Sequence, residues 1–94
     1  MYTLTFGPAA YRVFKKLPPP LQQEIRERAE ALTTNPLAGE PLQGRYRLMR
    51  SVHFGFKGTA YRIVYQVLVE EKQIVIRLAD KRENIYKRLE EMGV

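Results

Sequence analysis

Tyr61-Arg62-Ile63-Val64-Tyr65-Gln66-Val67-Leu68-Val69, then Glu70-Glu71-Lys72, then Gln73-Ile74-Val75-Ile76-Arg77-Leu78, is the stretch that decides the fold of this chain. Both runs are rich in β-branched and aromatic residues, which fit a pleated surface, and the polar triplet between them makes a tight hairpin. A period of two places Tyr61, Ile63, Tyr65, Val67 and Val69 on one face, and Arg62, Val64, Gln66 and Leu68 on the other. In the following strand Ile74, Ile76 and Leu78 point inward, opposite Gln73, Val75 and Arg77.

The segment before this hairpin also reads with period two. Tyr46, Leu48, Val52, Phe54 and Phe56 point one way, while Arg47, Met49, Ser51, His53 and Lys57 point the other, with Gly55 a possible bulge. Lys57-Gly58-Thr59 is a turn signal. Further upstream, Tyr2 to Phe6 makes a first strand, ended by Gly7-Pro8, and a short helix runs to Leu17. Pro18-Pro19-Pro20 breaks that helix and starts another, because proline lacks only an N–H that the first helical turn does not use. Leu21, Ile25, Ala29 and Leu32 form its apolar stripe, with Glu24, Glu27, Arg28 and Glu30 opposite. Thr33 to Pro36 stops it, and a loop continues through Gly44. At the far end Asp80 and Glu83 have capping-box spacing, and Ile85, Leu89 and Met92 give a last helix its buried stripe.

The expected architecture is therefore α+β, in the order β-α-α-β-β-β-α. Two N-terminal helices pack on one face of a small antiparallel sheet, and a C-terminal helix follows. At 94 residues, 1–94 is expected to be a single domain, since a second core could not be filled. Hydrophobic residues at 45% supply that core. The absence of cysteine and the single histidine, His53, argue against disulfides and against thiolate or imidazole metal sites, so neither a metal nor a cofactor is expected. The longest apolar run, Ile63 to Val69, is too short to span a bilayer, and Met1-Tyr2-Thr3-Leu4 does not begin a signal peptide. A cytoplasmic location with no membrane partner is the simplest expectation.

A formal charge of +6 in so small a chain favours a polyanionic partner, provided the cations gather in one place. Arg47, His53, Lys57, Arg62, Arg77, Lys81, Arg82 and Tyr86 all leave the predicted core, on the sheet face that the helices do not cover. Neighbouring strands lie about 5 Å apart, so Arg47, Arg62 and Arg77 would span a groove the width of a nucleotide backbone. Guanidinium groups suit phosphate because they are planar, permanently charged and donate two parallel bonds. To cleave RNA, a site must also take a proton from the 2′-hydroxyl and return one to the leaving oxygen. No pair of histidines, nor a histidine beside a carboxylate, is evident in the sequence. The bland alternative is a solvated basic face, with Arg62 held between Tyr61 and Tyr65 by stacking.

The runs Leu42-Gln43-Gly44-Arg45-Tyr46-Arg47, Tyr61-Arg62-Ile63-Val64-Tyr65-Gln66-Val67 and Lys81-Arg82-Glu83-Asn84-Ile85-Tyr86 together resemble the RelE/ParE superfamily of type II toxins. The likeness extends over nearly the whole chain in the same order. It implies a ribosome-dependent endoribonuclease, an mRNA interferase, that cuts mRNA on the ribosome and is held in check by a partner antitoxin. On that likeness Arg62 stabilises phosphate, Arg82 is a second site arginine and Tyr86 contacts the substrate. Arg47 takes the first of two basic positions on the second strand. The second such position, a lysine favoured as base, falls on Met49, so Arg50, His53 or Lys57 would have to substitute. Lys81 stands where relatives often carry histidine, and Asp80 where many have glycine. The competing expectations are a ParE-like inhibitor that binds DNA gyrase without catalysis, and an inactive basic binding module.

Overall fold

Prolines punctuate the first half of the chain as their missing N–H groups require. In this computed structural model, which describes residues 1–93, Pro8 opens α1 (Pro8–Phe14) and Pro19 opens α2 (Pro19–Ala31). Before them lies β1 (Thr3–Phe6); after them come β2 (Glu40–Pro41), β3 (Arg50–Phe56), β4 (Thr59–Leu68), β5 (Gln73–Lys81) and α3 (Ile85–Glu91). Short 3-10 turns occupy Gly44–Tyr46 and Arg82–Asn84. The α+β class and the element order agree with expectation, except that the two-residue strand β2 is added within the segment read as a loop. The sheet is mixed and five-stranded, in the order β1-β5-β4-β3-β2. The long hairpins pair antiparallel, while β1 lies parallel to β5 because α1 and α2 carry the chain away before the meander returns beside it.

On one face α1 and α2 close an apolar layer. Phe14, Leu21, Ile25 and Leu32 meet Phe54, Ile63, Tyr65, Ile74, Ile76 and Ala79 there. A fully buried Ile or Leu contributes about 1.5–3 kcal/mol relative to exposure, so this layer is the main source of stability.

The other face is not left free. A second apolar cluster of Leu42, Tyr46, Met49, Val64, Leu78, Ile85 and Leu89 places α3 over half of it. Leu78 reaches this cluster through a bulge. The β4–β5 register passes from Val64–Leu78 to Tyr65–Ile76, leaving Arg77 unpaired and reversing the alternation of β5. The sequence reading, which put Ile74, Ile76 and Leu78 on one face, had no way to register that extra residue.

A second departure lies ahead of β3. Residues 46–49 are a turn rather than strand, with the Met49 N–H donating to Tyr46 O at 2.9 Å and Arg47 N–H to Gly44 O at 3.2 Å. Leu48 is thereby 79% exposed and Met49 only 8%, the reverse of the strand alternation. The expected capping box is also absent. β5 runs on to Lys81, and the helix begins only after a 3-10 turn with no side-chain cap.

The loop before β2 is pinned from far along the chain. The Tyr65 hydroxyl donates to Pro36 O at 2.7 Å and accepts the Gly39 N–H at 2.9 Å. Arg50 Nε donates to Gly39 O at 3.0 Å. Any side chain at Gly39 would collide with Ser51 O, 2.6 Å from the site of a Cβ, so glycine is required by close approach. These bonds place β2 at the sheet edge, with Glu40 opposite Ser51.

Candidate functional site

Beyond the edge of α3 the second sheet face is open, and polar residues line it. The core of this region is a cross-strand pair, His53 of β3 opposite Arg62 of β4. Strand alternation puts both on the face away from α1 and α2, since their neighbours Phe54 and Ile63 enter the first core. His53 and Arg62 line two adjoining depressions. One, of about 410 Å³, adds Gly58, Thr59, Ala60 and Arg82. The other, of about 320 Å³, adds Glu40, Gln43, Ser51 and Tyr86. A third depression continues past Thr59 and Ala60 to Lys81, Arg82 and Glu83. The first two share His53 and Arg62, and the first and third share Thr59, Ala60 and Arg82, so the three adjoin as a groove from the β3–β4 turn to β2.

The small residues Gly55 and Ala60 face each other at one end and keep the floor low there. At the other end Tyr86, 41% exposed, presents its ring to the groove. Its ring centre is 6.0 Å from that of Tyr46, which is buried in the second core, and its hydroxyl makes a long 3.5 Å contact with the Gln43 N–H. Arg45 stacks on Tyr46 at 5.0 Å and donates to its hydroxyl at 2.8 Å. That bond raises the guanidinium pKa above its usual value, so Arg45 holds a permanent charge beside the aromatic pair. Arg62 is cationic and uncommitted: its buried Nε has no hydrogen-bond partner among the described residues.

The site residues expected from sequence thus divide. Arg62, Arg82, Tyr86, His53 and Lys81 border the groove. Arg47 does not belong to the strand on which it was placed; it caps the 3-10 turn and does not line the groove. Arg50 is on β3, but its side chain is committed to the Gly39 carbonyl. Lys57, with φ 50°, and Gly58, with φ 79°, form the two-residue β3–β4 turn, and the Lys57 ammonium lies 5.6 Å from the Phe56 ring. Arg77 is the bulge residue, and its buried Nε also lacks a partner among the described residues. The expected groove spanned by Arg47, Arg62 and Arg77 is replaced by one centred on His53 and Arg62.

Glu40 is the residue that the sequence reading missed. It is an exposed residue that lines the same depression as His53, so an acidic residue and the histidine border one site. No periodicity marks it, because β2 is two residues long and is positioned by Tyr65 and Arg50. The groove consequently holds two arginines able to neutralise a phosphate, a carboxylate and an imidazole able to move protons, and a tyrosine able to stack on a base.

Comparison with known proteins follows the same geometry. A family model described as the ParE-like toxin of type II bacterial toxin–antitoxin systems matches residues 4–90. Among solved structures, the RelBE2 toxin–antitoxin complex from Mycobacterium tuberculosis contains a chain 34% identical to this one, with a TM-score of 0.75, covering 86% of this chain and 98% of that one. The isolated Escherichia coli RelE toxin is 20% identical over 100% of both chains with a TM-score of 0.71. The intact E. coli RelBE complex matches at 21% identity and a TM-score of 0.65, over 86% of this chain and 96% of that one. These last two speak for the fold alone. The search of curated proteins gives no match.

Proposed function

Because the chain belongs to the ParE-like toxin family of type II bacterial toxin–antitoxin systems, we propose that it is an endoribonuclease that cleaves mRNA on the ribosome. The observation that carries this reading is the convergence of Arg62, Arg82, His53, Glu40 and Tyr86 on one groove. Such a set covers each requirement of internal phosphoryl transfer. Glu40 takes the 2′-hydroxyl proton as that oxygen attacks phosphorus, and Arg62 and Arg82 hold the charge that builds on the phosphorane. His53 returns a proton to the departing 5′-oxygen, and Tyr86 stacks on a neighbouring base. Met49, where the family likeness would place a basic strand residue, is buried in the second core and can play no part. The M. tuberculosis relative was solved with an antitoxin, which supports a cognate antitoxin protein as the partner of this chain as well.

Inhibition of DNA gyrase is the second reading, favoured by that same buried methionine, since a non-catalytic toxin needs no base at the position. Induction of the chain without antitoxin, with mapping of mRNA 5′ ends, separates the two. Codon-phased cuts are expected, and Arg62→Ala/Arg82→Ala is expected to lower cleavage at least ~10³-fold, since one charge-stabilising donor is commonly worth ~10²–10³. Intact mRNA together with inhibited supercoiling in a gyrase assay would replace the ribonuclease reading with the other.

A further inference from the structure

Three buried side-chain atoms lack a hydrogen-bond partner among the described residues: Arg62 Nε, Arg77 Nε and Asp80 Oδ2. Arg62 and Asp80 are direct partners in the β4–β5 ladder. Directly opposed residues carry Cβ atoms about 4.5–5.5 Å apart, so an arginine and an aspartate there would ordinarily form a cross-strand ion pair. They do not: the ion pairs among the described residues are Arg28–Glu24 and Arg88–Asp80.

Asp80 is engaged elsewhere. Its Oδ1 accepts the Lys81 backbone N–H at 2.7 Å, and its Oδ2 lies 2.9 Å from Arg88 Nε on α3. The Arg88 N–H is not aimed along that contact. This is a charge pair without an aligned hydrogen bond, so Oδ2 keeps its accepting capacity despite the short distance. The Asp80 side chain is only 13% exposed, so its charge is weakly screened and needs a cation. Two are within reach of its position: Arg88 from the helix and Arg62 from the strand opposite.

We propose that Asp80 and Arg88 are a positioning pair for the groove: Arg88 holds the Asp80 carboxylate, docks α3 with its Tyr86, and keeps Asp80 from neutralising Arg62. The proposal rests on the reading of Arg62 as the phosphate-binding group. Removing Arg88 alone leaves a largely buried carboxylate whose partner across the ladder is Arg62. The two then pair, and Arg62 loses the free guanidinium that a phosphate would use. Removing both Asp80 and Arg88 releases Arg62 again. A pair serving only to staple α3 behaves differently, because the double variant would then be no better than the single.

The test uses the full chain and a labelled short single-stranded RNA, read by fluorescence anisotropy, with circular dichroism to check folding. Arg88→Ala is expected to weaken binding about tenfold, the worth of one charge-assisted bond, and Asp80→Asn/Arg88→Ala to return within about threefold of the parent. Lys87→Ala removes one charge from the same helix without touching the pair and is expected to cost no more than about twofold. If Arg88→Ala does not fold, Arg88→Gln takes its place. Equal binding by the single variant and the parent, or no recovery in the double variant, overturns the proposal. A second arm needs no RNA: the Arg62 Nε–Hε nuclear magnetic resonance signal is expected to shift in Arg88→Ala and return in the double variant. If the parent binds no RNA, the nucleic-acid reading falls while this signal still decides the pairing; an unmoved signal overturns it.

Discussion

On one face of the sheet α1 and α2 close an apolar layer that runs from Phe14 to Ala79, with no charged residue buried in it among the described residues. On the other, α3 covers Val64 and Leu78 and then stops, and the uncovered remainder carries His53, Arg62 and Arg82. The two faces are built from the same strands, residue by alternate residue. Where helix cover ends, polar and charged side chains replace the apolar ones of the sealed half. The groove is therefore the unsealed half of a second core, and its shape depends on the residues that seal the other half.

Glu40→Gln is the sharpest way to break this contrast. It removes a proton acceptor from the groove while leaving both apolar clusters untouched, so cleavage is expected to fall ~10²–10⁴-fold with an unchanged melting temperature. Cleavage assays beside thermal melts check it. A loss of stability matching the loss of activity would mean that Glu40 serves the fold instead.

Tyr65→Phe joins the two faces and has a smaller expected effect. The ring belongs to the first core, but its hydroxyl holds the loop that delivers Glu40 to the second face. Phenylalanine keeps the packing and leaves the Gly39 N–H and Pro36 carbonyl without their partner. About 1–3 kcal/mol of stability is expected to be lost, measured by chemical denaturation, with an accompanying fall in cleavage from the loosened Glu40. Full activity at reduced stability would separate the loop from the site.

The same contrast explains what could be read from the sequence. The first core was legible because it is periodic: Leu21, Ile25, Ala29 and Leu32 at helical spacing, and Ile63, Tyr65, Ile74 and Ile76 at strand spacing. Arg62 and Tyr86 could be placed outside the core because Arg62 alternates to the opposite strand face and Tyr86 lies off the Ile85, Leu89 and Met92 stripe. The site roles given to them and to Arg82 come from the family likeness. The second core was hidden by two local departures from periodicity. One is the bulge at Arg77, which no glycine announces; the other is the turn that buries Met49 and exposes Leu48. Glu40 was illegible for another reason: its position depends on a hydroxyl 26 residues beyond Gly39, a separation over which alternation carries no information.

Arg47 gives the smallest expected effect and the finest test of where the groove ends. The family likeness makes it a site residue, whereas its place on the turn after Tyr46 makes it an exposed charge outside the depressions that Arg62 lines. An exposed arginine with no ion pair among the described residues contributes little, so Arg47→Ala is expected to change stability by less than about 0.5 kcal/mol. Its effect on RNA affinity should be that of one distant phosphate contact, fading as salt is raised and the same for every sequence. Arg62→Ala is expected instead to remove cleavage at every salt concentration. If Arg47→Ala equals Arg62→Ala in a salt series of cleavage rates, the turn must fold over the groove when RNA binds, and the boundary drawn at Tyr86 moves outward to include it.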